Sequence, residues 1–72
     1  MVQLKNHNWK TILKILTKNG FVIRHQKGSH ILLGHIDGRR VTLVRHNPIK
    51  VGTLKSILKQ AEISNEDFEK SL

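Results

Sequence analysis

The sequence predicts an α+β domain of order α-β-β-β-α with a short extra helix at the C-terminus. A three-stranded antiparallel sheet is expected to carry the two longer helices on one face. Three observations lead there. Two segments repeat apolar residues at helical spacing, and the three runs between them alternate at the strand period or sit between turn signals. A chain of 72 residues also buries only roughly 60% of its unfolded surface, which suits one compact two-layer core.

The first helix is expected to start at Asn8, whose side chain suits an N-cap. Trp9, Ile12, Leu13 and Leu16 then fall at i, i+3, i+4 and i+7, one apolar stripe, while Lys10, Lys14 and Lys18 mark a solvated face. Asn19-Gly20 supplies the stop. Strands are expected over 21–26, 29–36 and 40–46. In the second, Ile31 and Leu33 share a face opposite His30 and Leu32. In the third, Val41 and Leu43 alternate with Thr42 and Val44. Asp37-Gly38 reads as a two-residue hairpin turn, so the second and third strands pair antiparallel.

Asn47-Pro48 closes the sheet, since proline lacks a ladder donor. A second helix is expected near Gly52-Thr53, with Thr53 as cap and Leu54, Ile57, Leu58 and Ala61 buried. Ser64-Asn65-Glu66-Asp67 opens a short third helix, from which Phe68 and Leu72 pack back. We expect a single domain over 1–72, with its core at about 8–64 and an acidic helical tail over 64–72. The α-β-β-β-α order is that of double-stranded RNA-binding domains, and the sheet face away from the helices is left open.

Charge points to a partner. The chain carries +8 at pH 7. Residues 1–61 hold 12 of the 13 Lys and Arg and a single acid, Asp37, whereas four of the five acids (Glu62, Glu66, Asp67, Glu69) lie in 62–72. So basic a body attracts polyanions, and counterion release favours binding to a phosphate backbone. Nucleic acid is the leading partner. The absence of cysteine removes thiolate nucleophiles, disulfides and Cys-zinc sites, and suits a reducing compartment. No apolar run approaches the roughly 20 residues of a membrane span. A cytoplasmic protein without membrane contact is expected.

Five histidines, at 7, 25, 30, 35 and 46, are the candidate chemists. Imidazole can accept a proton and imidazolium donate one near neutral pH. RNA cleavage needs little else, because the 2′-hydroxyl is itself the nucleophile. His25, His30 and His35 lie in neighbouring strand regions and could meet, but the histidine-rich middle has no His-Glu-x-x-His spacing and almost no acids. No metal or cofactor is expected. The segment Lys27-Gly28-Ser29-His30 is more specific. It joins two strands with a glycine that lets backbone approach a phosphate, a lysine, a hydroxyl and an imidazole.

Trp9-Lys10, Leu16, Asn19-Gly20-Phe21-Val22, Lys27-Gly28-Ser29-His30, Asp37-Gly38-Arg39-Arg40-Val41-Thr42, His46-Asn47 and 52–61 (Gly-Thr-Leu-Lys-Ser-Ile-Leu-Lys-Gln-Ala) follow one another in an order that resembles the HicA toxin family. The resemblance spans roughly 8–64. It implies a double-stranded RNA-binding-domain-like fold, cleavage of messenger RNA, and neutralisation by a HicB-like antitoxin that covers the catalytic histidine. That histidine falls on His30. Two positions depart from the pattern: Ile31 stands where many members have a second histidine, and Val44 where a strand proline is frequent.

The expected RNA contacts are Lys27, Gly28 and Ser29 at the scissile phosphate, with Arg39, Arg40, Arg45, His46, Lys50, Lys55 and Lys59 along the backbone. Phosphate-binding amides at the start of the second helix add to them. The second catalytic group is open among His25, His35 and His46, with His46 slightly favoured. Two other readings share these residues: a non-catalytic RNA-binding module, and an interaction protein whose charge meets an acidic partner. An acidic tail folded over the basic face in cis is a further expectation to test.

Overall fold

A computed structural model describes residues 4–72. The element order is α1 (Trp9–Lys18), β1 (Val22–Lys27), β2 (His30–Gly34), β3 (Arg40–Val44), α2 (Val51–Ala61) and α3 (Asn65–Ser71). The strands form a three-stranded antiparallel meander, β1-β2-β3. The expected α+β architecture is therefore the observed one. Among the described residues no helix is long and apolar enough to cross a membrane.

Each helix begins and ends for a local reason. Asn8 accepts the Lys10 amide at 2.9 Å, as its N-cap role requires. At the other end of α1 the Phe21 amide reaches the Leu16 carbonyl and the Gly20 amide the Thr17 carbonyl, the paired bonds of a Schellman cap. α3 starts on Ser64, whose hydroxyl accepts the Asp67 amide at 3.0 Å. α2 departs from expectation. It starts at Val51 after Lys50, which makes no side-chain cap bond. Its first amide is instead met by Asn6 Oδ1 at 3.1 Å, a partner 45 residues away. Thr53 is thus inside the helix and does not cap it.

The core gathers Ile12, Ile15, Leu16, Phe21, Ile31, Leu33, Val41, Leu43, Ile49, Leu54, Ile57, Leu58, Ala61, Ile63 and Phe68. Ile31 and Leu33 of β2 and Val41 and Leu43 of β3 face the helices, in the expected alternation. Phe68 is fully buried, so α3 belongs to this core, and its ring meets His7 edge-on at 5.2 Å between centroids. Leu72, by contrast, is 54% exposed and does not pack back. The acidic tail is held by the helix-side core through Phe68, and does not lie across the sheet's open face.

Strand limits differ from expectation at both hairpins. The β2–β3 connection is longer than two residues. The Gly38 amide donates to the His35 carbonyl, the His35 amide donates to the Arg39 carbonyl, and Gly38 takes φ +99°. That is a three-residue loop with its glycine in the left-handed position, so Asp37-Gly38 forms the latter part of the turn. The β1–β2 connection is the tight one. Lys27 pairs with His30, and only Gly28 and Ser29 lie between them. Gly28, at φ +59°, takes the first central position of a type II′ turn.

Candidate functional site

The sheet has one covered and one open face, and register decides which side chains share the open one. His30 pairs with Lys27 of β1 and Val44 of β3; Leu32 pairs with His25 and Thr42; Gly34 pairs with Val22 and Arg40. Because Ile31 and Leu33 point into the core, His30, Leu32 and Gly34 point out, with their cross-strand partners. Simple alternation would send Arg24 and His25 of β1 to opposite faces. A bulge between Ile23 and His25 prevents that. Arg24 is the extra residue, and a Cβ built on Gly34 would lie 3.1 Å from its Cγ and Nε, so its side chain crosses the open face too.

The open face therefore carries Arg24, His25 and Lys27 from β1, His30 from β2 and Arg40 from β3. None of the strand residues on it is acidic. His30 is exposed at the head of β2. Lys27 stands directly opposite it, and His25 is its diagonal neighbour, about 7–8 Å away by strand geometry. Ile31 is 2% exposed, so a side chain at that position enters the core and does not reach this face. Val44, the other departure from the pattern, is the direct cross-strand neighbour of His30.

The turn before His30 is fixed from several sides. The Ser29 carbonyl accepts the Arg45 amide at 2.6 Å. The Arg45 guanidinium lies 5.1 Å above the Trp9 ring, and the Trp9 amide donates to Asn47 Oδ1 at 2.9 Å. The β1–β2 turn, the exit of β3 and the start of α1 thus meet at one end of the molecule. His46 is exposed there, and Lys50 opens α2 from the same segment.

The remaining expected residues are placed elsewhere. Lys55 and Lys59 are exposed on α2, whose buried stripe faces the sheet, so they belong to the helical layer and are not beside His30. Arg39 is engaged: it bonds Asp37 at 2.7 Å, donates to the Ala61 carbonyl and lies 5.2 Å above the Phe21 ring. Its amide, then its guanidinium, hold the exposed Asp37 carboxyl below the usual carboxylate range. His35 packs edge-on against Phe21 at 5.2 Å, with Nδ1 3.0 Å from Asp37 Oδ1. It is separated from the His25–His30 pair, and among the described residues no three metal-ligating side chains come together.

Arg24 and His25 are the residues whose placement sequence reasoning missed. A bulge leaves little trace in a strand this short, and only the registers on either side of Arg24 reveal it.

A search of curated protein sequences returned no match. A family model described as HicA toxin of bacterial toxin-antitoxin matches residues 9–63. That span runs from the first residue of α1 to Ile63, two residues past α2, and includes the β1–β2 turn, His30 and the whole sheet. The chain belongs to the HicA toxin family of bacterial toxin–antitoxin systems.

Proposed function

We propose that this toxin is an endoribonuclease that cleaves messenger RNA without a metal and so arrests translation in the cytoplasm. The observation that carries the reading is the position of His30: exposed, at the mouth of a tight Gly-Ser turn, on a basic sheet face that no helix covers. An RNA strand needs an open face of this kind, since a 72-residue domain cannot enclose it.

In this mechanism His30 acts on the 2′-hydroxyl as general base. The 2′-oxygen attacks the adjacent phosphorus, the bond to the 5′-oxygen breaks, and a 2′,3′-cyclic phosphate and a 5′-hydroxyl result. The proton taken from the 2′-hydroxyl stays on His30, and a second imidazole protonates the departing 5′-oxygen. We assign that second role to His25, because it shares His30's face, whereas His35 packs against Phe21 and His46 lies beyond the end of β3. Lys27, opposite His30, offsets charge developing on the phosphorane. The Gly28-Ser29 turn leaves room for the phosphate beside it; a side chain at Gly28 would meet nothing within 4 Å.

The family implies an antitoxin, and a HicB-like protein that covers His30 and the basic face would both block RNA and neutralise the exposed charge. The experiment is His30→Ala, with RNA cleavage and growth arrest as readouts. Loss of both with RNA binding retained supports the nuclease. Cleavage that survives the substitution refutes it. A wild-type chain that binds RNA and never shortens it supports the non-catalytic RNA-binding reading instead.

A further inference from the structure

At the far end of the open face from the β1–β2 turn, Arg24 of β1 and Arg40 of β3 stand on either side of Gly34, the residue of β2 that has no side chain on this face. Arg24 lies over the glycine, in contact distance of where a Cβ would be. A recess of about 390 Å³ opens there, lined by Arg24, Leu32, Gly34, Arg40 and the β2–β3 turn. Among the described residues neither guanidinium has a carboxylate or carbonyl partner, in contrast to Arg39.

Two unpaired guanidinium groups beside one recess repel each other until an anion enters. Their fork of donors matches the paired oxygens of a phosphate better than a lysine does. Leu32 in the lining adds an apolar surface against which a ribose can pack. Gly34 lies four residues along β2 from His30, roughly 13 Å at the strand rise. That is too far to touch the scissile phosphate, and close enough to touch the same strand further along.

We propose that this recess is a phosphodiester-binding subsite, which holds the RNA strand a few nucleotides away from the bond cleaved at His30. The inference rests on the nuclease reading for its kinetic test, though not for its binding test. It adds Arg24 as an RNA ligand and gives Gly34 the role of seating it.

The test compares a dinucleotide with a ten-nucleotide RNA as substrates. The proteins are the wild-type chain, the double variant Arg24→Gln/Arg40→Gln, and Lys14→Gln/Lys18→Gln, which removes the same charge from the exposed surface of α1. For the longer RNA, Arg24→Gln/Arg40→Gln raises KM about tenfold with kcat unchanged, while dinucleotide cleavage matches wild type. Gly34→Ala keeps both charges, displaces Arg24, and moves KM in the same direction. A KM no higher than that of the lysine variant overturns the proposal. So does an equal loss on the dinucleotide. If the wild-type chain cleaves neither RNA, the nuclease reading fails by itself. The affinities of the same proteins for the ten-nucleotide RNA then decide the subsite: a drop of about tenfold beyond the lysine control sustains it, and equal affinities overturn it.

Discussion

The carbonyl oxygen of Ser29 accepts the amide of Arg45 at 2.6 Å, which ties the turn before His30 to the exit of β3. Because the Arg45 guanidinium is stacked over Trp9, that tie extends to the first turn of α1. His30 thus stands on a turn clamped to two other elements, and changes in the turn's backbone should reach its imidazole.

Gly28 is the place to see this. At φ +59° a side chain is strained by about 1–2 kcal/mol, even though a Cβ there meets nothing. Gly28→Ala should lower the melting temperature by roughly 4–8 °C per kcal/mol for a domain of this size, and reduce RNA cleavage. Gly28→Asn, better tolerated in the left-handed region, should recover part of both. Thermal melts beside cleavage rates check this; an unchanged melting temperature in Gly28→Ala would contradict the turn assignment.

His25 and His46 give a sharper comparison. If His25 protonates the leaving oxygen, His25→Gln should slow cleavage by about 100-fold or more, the usual size of a general-acid contribution. His46→Gln should cost only a few-fold, through RNA contact. The pH–rate profile should lose its alkaline limb in His25→Gln and keep it in His46→Gln. The reverse ranking would move the acid to His46.

Glu62 ends α2 in the left-handed conformation, φ 57°, where glycine is the usual occupant. Its side chain is exposed, so little packing is lost on removing it. Glu62→Gly should stabilise the fold by about 1 kcal/mol, seen as a higher urea midpoint at unchanged slope. A lower midpoint would mean that the carboxylate contributes more than the strain costs.

Asp37 supplies a pH test. Its carboxyl is held below the usual range by the Arg39 amide first, then by the Arg39 guanidinium and His35. A group with a lowered folded pKa contributes stability above its unfolded value of about 3.9, and loses it as pH falls through the folded value. Stability should therefore decline below about pH 4, and Asp37→Asn should flatten that part of the profile. Urea midpoints between neutral pH and pH 3 measure it, and an equally steep decline in the variant would assign it to other carboxylates.

Where sequence and structure agree, the signal was local. The stripes of α1 and α2, the Asn8 and Ser64 caps and the alternation of β2 and β3 depend on neighbours within a turn or two, and all appear. What stayed hidden depends on distant partners. Asn6 meets the first amide of α2, so no capping residue was needed at its start. α2 stops without a glycine, at Glu62, whose left-handed backbone is held by the Schellman bonds from Glu62 and Ile63 to Lys59 and Leu58. Arg24 and His25 share a face only because β1 slips by one residue against β2. His30 was singled out only by the Lys27-Gly28-Ser29-His30 segment together with the family resemblance, and the register that sets His25 diagonal to it was not legible.

In the proposed mechanism His30 performs the chemistry and is not merely one of many RNA contacts. The most direct measurement is a single-turnover cleavage time course on messenger RNA by purified wild-type chain and His30→Ala, with RNA affinity measured on the same samples. Cleavage should disappear in His30→Ala while affinity changes by no more than a few-fold. Cleavage at the wild-type rate in His30→Ala, or loss of cleavage only in proportion to lost affinity, would contradict it.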